Sequence, residues 1–206
     1  MKLYTFDPAP NPRRLALFMQ YKGIEIDTEQ VDLMKGEQLT PEYRAINPEC
    51  TVPALVLDDG TTLSAVIGIC TYLEETHPEK PLLGTTALEK ARVISWSHHL
   101  FVGLFQAIAN ILRNANENFA GRALPGPLEL PQIPELAERG RQQVAHFLPM
   151  FDAHLSHNRF MAGDSISMAD IDLLVALEFL GWVQESVPED CKSLLEWRER
   201  ATAELG

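Results

Sequence analysis

Cysteine is scarce in this sequence, and the cysteines present form no pattern typical of a disulfide or a metal site. Cys50, Cys70 and Cys191 are an odd number and lie far apart, which argues against a disulfide framework and fits a reducing compartment. Histidine gives no metal motif either, because no HExxH arrangement occurs and the adjacent His98 and His99 point in different directions on a helix. We therefore expect no metal site.

Long apolar runs and positive charge are also lacking. No segment approaches the roughly 20 apolar residues that span a bilayer, and the first residues show no run of signal-peptide length. We therefore expect a cytoplasmic protein. The formal net charge is −12, and no basic cluster occurs beyond Arg13-Arg14. Because a phosphate backbone or an anionic membrane would be repelled, the composition favours a small-molecule or protein partner over nucleic acid or membrane.

The first 76 residues alternate short strand and helix patterns. Lys2 to Phe6 is predicted to be a strand, and the helix after it is expected to stop at Gly23. A second strand, a short helix opening at Thr40-Pro41 and the strand VPALVL come next. Asp59-Gly60 predicts a hairpin turn, after which Ser64 is expected to cap a helix. The predicted order is β-α-β-α-β-β-α.

The remaining residues show no convincing pair of strands. Residues 77–85 contain two prolines and are predicted to be a linker, and residues 86–206 are predicted to be helical. Thr86 and Glu89 fit a capping box that opens a long helix, and Ser167 and Asp170 fit another. The fold class is therefore an α/β N-terminal domain, residues 1–76, followed by an all-α C-terminal domain.

Four stretches occur in one characteristic order along the chain: APNPRR, INPECTVPAL, DDGTTLS and AGDSISMADIDLL. On these stretches the whole chain resembles the cytosolic glutathione transferase family, and bacterial members in particular. The resemblance implies a thioredoxin-like domain that binds glutathione, and a helical domain that forms one wall of an open pocket. It also implies a homodimer that uses glutathione as co-substrate, in thiolate attack on a small electrophilic or disulfide substrate.

The family holds the peptide bond that matches Val52-Pro53 in the cis form, so that the residue before proline turns its backbone towards the ligand. Proline makes the cis form accessible. The dipeptide alone is equally consistent with a trans proline at the start of a strand. The resemblance implies the cis form and assigns Val52 and Pro53 to glutathione binding.

Many family members stabilise the glutathione sulfur with a hydroxyl or a cysteine near the start of the first helix. The segment TFDPAPNPRR has neither past Thr5, and Ala9 stands at the usual place of serine. Asn11 falls where one bacterial subgroup, often called nu-class or disulfide-bond oxidoreductase-like, also carries asparagine. The resemblance thus assigns Asn11 as the catalytic residue, with its amide and the adjoining N–H groups donating to the thiolate. The alternative is that Asn11 only caps the helix.

Several other roles stay open. Arg13 either adds positive charge near the sulfur or lies exposed on the first turn. Cys50, close to the proposed cis proline, is either a redox-active thiol or a packing residue, as most cysteines placed so are. Trp96 and His99 either line the pocket for the second substrate or belong to the core.

The sequence departs from the family where the helix after the hairpin begins. Relatives carry an acidic residue and a serine there, which hold the γ-glutamyl end of glutathione, whereas this chain has Ala65 and Val66. The backbone N–H of Val66 can still meet a carboxylate. A lost hydrogen bond to a charged group costs about 1.5 to 3 kcal/mol, so we expect glutathione affinity to fall roughly tenfold. Thr51 and Gln38 also stand where many relatives place a basic residue or histidine.

The sequence therefore supports two functions. The first is a glutathione S-transferase-like enzyme, acting on an electrophile or as a glutathione-dependent disulfide reductase. The alternative is a non-catalytic binding or regulatory protein of the same fold with a depleted glutathione site, which Ala65 and Val66 favour.

Overall fold

The computed structural model describes all 206 residues, Met1–Gly206. The strands and α-helices follow in this order: β1 (Lys2–Thr5), α1 (Pro10–Lys22), β2 (Asp27–Gln30), α2 (Pro41–Ile46), β3 (Ala54–Val56), β4 (Thr62–Leu63), α3 (Val66–Thr76), α4 (Ala87–Leu100), α5 (Gln106–Ala115), α6 (Pro134–Leu155), α7 (Met168–Leu180) and α8 (Lys192–Leu205). The chain divides into a first unit, Met1–Lys80 with Leu124–Glu129, and a second unit, Pro81–Ala123 with Leu130–Gly206. None of the helices combines the length and apolar character needed to span a bilayer.

The first unit is built on a four-stranded sheet with the strand order β2-β1-β3-β4. β1 pairs in parallel with β2 and antiparallel with β3, and β3 pairs antiparallel with β4. The apolar core includes Leu15 and Phe18 of α1 and Ile69 and Leu73 of α3, all of them buried. The predicted order β-α-β-α-β-β-α and the thioredoxin-like class of this half are confirmed.

The end of α1 shows why the helix stops where the sequence predicts. Gly23 follows the last helical residue with φ +70°, a left-handed conformation that glycine adopts at little cost. Its N–H donates to the Gln20 carbonyl at 3.1 Å, and the Ile24 N–H donates to the Met19 carbonyl at 2.9 Å. These two bonds satisfy carbonyls that the helix end would leave open.

Lys22 ties the end of α1 to the end of α3. Its Nζ donates to the Glu74 carboxylate at 2.7 Å and to the carbonyls of Glu79 and Lys80 at 2.8 and 3.2 Å. The Lys22 side chain is 0% exposed and that of Glu74 is 9% exposed. An ammonium group has three hydrogens to donate, and here each has an acceptor, as a buried charge requires.

The second unit is helical, as predicted, but the long helix expected from Thr86 is interrupted. Thr86 and Glu89 form the predicted capping box. The α-helix then ends at Leu100 and continues as a π-helical turn, Phe101–Phe105, before α5 begins. Gly140 of α6 allows that helix to approach α5 closely, since a Cβ at this position would lie 2.6 Å from the Ala107 carbonyl oxygen.

The buried carboxylate of Asp170 organises the start of α7. It accepts hydrogen bonds from the N–H and hydroxyl of Ser167 at 3.0 and 2.8 Å, from the Met161 N–H at 2.8 Å and from the Trp197 indole at 3.0 Å. The bond to the Ser167 N–H is the predicted reach-back of the capping residue. Burial raises the pKa of Asp170 to about 6, while these hydrogen bonds oppose the rise.

Asp170→Asn should destabilise the protein by about 2 kcal/mol at neutral pH, because an amide cannot accept from all four donors. The raised native pKa of Asp170 means that the native state binds this proton more tightly than the unfolded chain. The contribution of this group to wild-type stability therefore falls as pH rises from about 4 to about 6.

The advantage of the wild type over Asp170→Asn should accordingly shrink across that pH range, by up to about 3 kcal/mol. Urea unfolding at a series of pH values measures the difference. Asp164→Asn, which changes an exposed aspartate before α7, is the control and should follow the wild type. An advantage that grows as pH rises would contradict the raised pKa.

Candidate functional site

At the start of α1, Asn11 is the one residue among the first three that can donate hydrogen bonds to a ligand. The helix begins at Pro10 with Ala9 as its N-cap, and Ala9 makes no side-chain capping bond. The alternative in which Asn11 caps the helix is therefore wrong, because Asn11 is already the second helical residue. Pro10 and Pro12 flank it, and proline has no N–H. The expectation that adjoining N–H groups assist is wrong for the same reason, since only Asn11 has an N–H among the first three helical residues.

The side chain of Asn11 is half-buried, and its two polar atoms differ in their surroundings. Oδ1 accepts a hydrogen bond from Nη1 of Arg14 at 2.9 Å. Nδ2 has no acceptor in the protein. The arrangement leaves an amide N–H₂ group available to an acceptor such as a thiolate. Arg13, which the sequence places either near the sulfur or exposed on the first turn, is half-buried.

The segment before β3 has the predicted backbone conformation. The Val52-Pro53 peptide bond is cis, as the family resemblance implies. Neither the N–H nor the carbonyl of Val52 has a hydrogen-bond partner within the protein. A peptide-like ligand lying alongside Val52 can therefore pair with both groups.

Tyr43 and Asn47 hold the preceding residue in place. The Tyr43 hydroxyl donates to the Thr51 carbonyl at 2.6 Å, and Nδ2 of Asn47 donates to the same oxygen at 2.8 Å. Burial raises the pKa of Tyr43 to about 12, so this phenol stays a protonated donor committed to the loop. Tyr43 consequently does not replace the missing sulfur-binding hydroxyl.

Cys50 is buried, and its thiol lies 3.5 Å from the Pro48 carbonyl oxygen. Its φ is +55°, a left-handed conformation that costs a residue with a side chain about 1 to 2 kcal/mol. Buried thiols are poor nucleophiles. The surroundings of Cys50 therefore match the packing role that the sequence left open.

The start of α3 has free backbone donors and no side-chain acceptor. Ala65 is the N-cap and makes no side-chain capping bond. The predicted capping role of Ser64 is wrong, because its hydroxyl donates to the Glu49 carboxylate at 3.3 Å instead. The N–H groups of Val66, Ile67 and Gly68 have no acceptor in the protein. Such a helix start attracts an anionic group.

The sheet register brings these three segments to one edge. Tyr4 of β1 lies opposite Ala54 of β3, and Leu63 of β4 lies opposite Leu55 of β3. Val52-Pro53, directly before β3, therefore runs beside the end of β1, which leads into α1. It also runs beside the residues after β4, which lead into α3. The starts of α1 and α3 and the cis peptide thus share one edge of the sheet.

Three further residues named from the sequence are Gln38, Trp96 and His99. Oε1 of Gln38 is buried and has no hydrogen-bond partner. Trp96 packs within the second unit, with its ring centroid 4.2 Å from that of His154 and 6.4 Å from that of Phe151. His99 is exposed. The ring contacts of Trp96 favour the core role among the two that the sequence left open.

Comparison with known proteins assigns the family. A glutathione S-transferase N-terminal domain model matches residues 9–76, and a C-terminal domain model matches residues 106–204. Glutathione S-transferase 2 of Saccharomyces cerevisiae is 32% identical over 203 residues, which are 97% of this chain and 84% of the yeast protein. The chain belongs to the glutathione S-transferase family. A zeta-class glutathione S-transferase of Euphorbia esula is 31% identical over 173 residues, covering 84% and 72% of the two chains.

Solved structures of the glutathione S-transferase family have the same fold. A glutathione S-transferase domain-containing protein of Marinobacter aquaeolei VT8 matches with a TM-score of 0.91 at 30% identity, over the whole of both chains. Gtt2 of Saccharomyces cerevisiae matches with a TM-score of 0.89 at 30% identity, again over both whole chains. The predicted glutathione transferase fold is confirmed, whereas the narrower likeness of Asn11 to the nu-class stays a prediction.

One residue of the site escaped the sequence reasoning. Arg14 is buried and contacts Asn11 directly. The sequence does show that Asn11 and Arg14 are three residues apart, a spacing that places two side chains on the same face of a helix. A charged residue in a first helical turn is usually exposed, so the spacing alone does not predict burial.

Proposed function

We propose that this protein is a glutathione transferase that binds glutathione at the sheet edge of the first unit. The carrying observation is the Nδ2 group of Asn11, a donor without an acceptor at the start of α1. In the proposed reaction the glutathione thiol loses its proton to solvent, and the thiolate attacks an electrophilic carbon. A carbon–sulfur bond forms, and the leaving group departs with its electron pair. A disulfide substrate would instead form a mixed disulfide and release a thiolate.

The energy required from Asn11 is modest. A free thiol has a pKa of about 8.5, and lowering it by two units requires about 2.7 kcal/mol of preference for the thiolate. A hydrogen bond to a charged group supplies about 1.5 to 3 kcal/mol. One amide at the start of a helix is therefore sufficient.

The remaining contacts involve backbone groups. Val52, next to the cis Pro53, offers its N–H and carbonyl to the peptide part of glutathione. The free N–H of Val66 and those of the next two residues suit the γ-glutamyl carboxylate. No side chain at Ala65 meets the ammonium group, so we expect weak binding. Glutathione is a co-substrate here and not a permanently bound cofactor.

The relatives favour this enzyme over the non-catalytic alternative. The yeast and Euphorbia esula proteins are both named glutathione S-transferases.

We also retain the predicted domain division, with the glutathione-binding domain at residues 1–76, a linker at 77–85 and the helical domain at 86–206.

Titration of the bound glutathione thiol tests the role of Asn11. Asn11→Ala should raise the apparent pKa of that thiol by about one unit, since one charge-assisted hydrogen bond is lost. The ultraviolet absorbance of the thiolate as a function of pH reports this value, and calorimetry confirms that the variant still binds. Gln106→Ala, which changes an exposed amide of the second unit, is the control. A wild type that does not bind glutathione in the calorimeter would instead support the non-catalytic alternative.

Restoring the family side chains at α3 tests the depleted contacts. Ala65 is exposed, so Ala65→Glu should be tolerated and should raise glutathione affinity about fivefold by pairing with the ammonium group. Adding Val66→Ser should bring the gain to roughly tenfold. Val66 is buried, so the second change should also cost about 1 to 2 kcal/mol of stability. Calorimetry measures the glutathione affinity and thermal melting measures the stability, with Ala65→Gln as the uncharged control. Unchanged affinity in folded variants would argue against glutathione as the ligand.

We further propose a cytoplasmic homodimer. Ile94 of α4 and Val102 of the π-helical turn are large apolar side chains, 44% and 55% exposed, on one unit, which suits burial by a second copy. Light scattering at micromolar concentration should give twice the mass of the chain, and Val102→Glu should shift it towards one chain mass. Leu128→Glu changes an exposed residue of the first unit and serves as control. A wild-type protein with the mass of one chain would contradict the dimer. Cell fractionation tests the proposed cytoplasmic location.

A further inference from the structure

Arg14 is a buried cation that contacts the proposed sulfur donor. Only 4% of the residue is exposed, and its Nη1 lies 2.9 Å from Oδ1 of Asn11, three residues earlier on α1. Both residues belong to the first unit. A guanidinium group can only donate hydrogen bonds. The atom of Asn11 that faces Arg14 must therefore be the carbonyl oxygen.

We propose that Arg14 is a positioning residue, which fixes the Asn11 amide with its N–H₂ group towards the glutathione sulfur. This inference rests on the proposed function of Asn11. It adds that the direction of the amide is set by Arg14 and is not left to the ligand.

The direction of the amide decides whether Asn11 helps or harms the thiolate. The last torsion of an asparagine side chain has a broad, roughly two-fold profile, so an isolated Asn11 would present either polar atom. A thiolate accepts hydrogen bonds, and Oδ1 facing it would place two acceptors together. With Arg14 present, the flipped amide would set donor against donor and lose a charge-assisted hydrogen bond, which disfavours it roughly tenfold or more.

Two other features support this role of Arg14. Pro10 and Pro12 restrict the backbone on both sides of Asn11, so the Cα–Cβ bond of Asn11 has a defined direction, and χ1 and χ2 are the torsions left to fix. A positive group on Oδ1 also polarises the amide and makes Nδ2–H a better donor. Both effects require Arg14 to act through Asn11.

A double-mutant cycle tests this coupling. The readout is the apparent pKa of the bound glutathione thiol, from thiolate absorbance against pH. Arg14→Met should raise that pKa by about half a unit to one unit, which is a threefold to tenfold loss of thiolate at a given pH. In the Asn11→Ala background the same substitution should produce no further rise. Binding of S-methylglutathione, which has no thiol proton, should change less than twofold.

Because Arg14 is buried, Arg14→Met can fail to fold, so a second variant leaves Arg14 intact. Asn11→Asp keeps an oxygen facing Arg14 and should preserve the melting temperature. It removes the N–H donor and adds a negative charge, so it should raise the thiol pKa more than Asn11→Ala does.

The outcomes separate the two proposals. If Asn11→Ala leaves the thiol pKa unchanged, Asn11 is not the sulfur donor, and both the proposed function and this inference fail. If Asn11→Ala raises the pKa but Arg14→Met raises it equally in both backgrounds, Asn11 keeps its role and the positioning role of Arg14 is overturned. A folded Asn11→Asp protein with the wild-type thiol pKa shows that Asn11 is not the donor, so the proposed function and the inference fail together.

Discussion

The absence of N–H groups on the two prolines at the start of α1 is the constraint on which the candidate site depends. A helix normally begins with several free backbone donors. Pro10 and Pro12 remove two of the first three, so an anion at this end meets Asn11 and little else. In the proposed function, stabilisation of the glutathione sulfur therefore depends mainly on one amide. The buried Arg14 beside it then becomes part of the same functional group.

Polar groups of this protein differ in how fully they are paired within the chain. In the second unit Asp170 is buried and accepts from four donors, so its carboxylate is fully used within the protein. In the first unit the backbone of Val52 and the N–H groups at the start of α3 lack partners, although they lie at one sheet edge. Unsatisfied groups are costly unless something else pairs with them. These unpaired groups of the first unit are available to a polar, peptide-like ligand.

Features with a local cause were predictable from the sequence. Gly23 ends α1 because the left-handed conformation suits glycine, and Ser167 and Asp170 pair because three residues separate them. The cis bond before Pro53 followed from the family resemblance. The helix end and the capping box are set by a few neighbouring residues, so short sequence patterns suffice to find them, whereas the cis bond needed the resemblance of the whole chain.

Features set by distant packing were missed. The Ser64 hydroxyl bonds to Glu49, fifteen residues away, and so leaves α3 without its expected cap. The π-helical turn Phe101–Phe105 interrupts an apolar pattern that reads as one continuous helix. The burial of Arg14 depends on what surrounds α1 and not on α1 itself. Each of these features depends on residues that are distant in the sequence, and periodicity and capping patterns cover only a few neighbouring residues.

The left-handed backbone of Cys50 restricts how this part of the site can change during evolution. At φ +55°, glycine fits without strain and asparagine or aspartate fit at small cost, whereas valine, isoleucine and threonine do not. The position is also buried, which disfavours the two polar choices. Descendants of this protein are therefore expected to keep cysteine here or to exchange it for glycine.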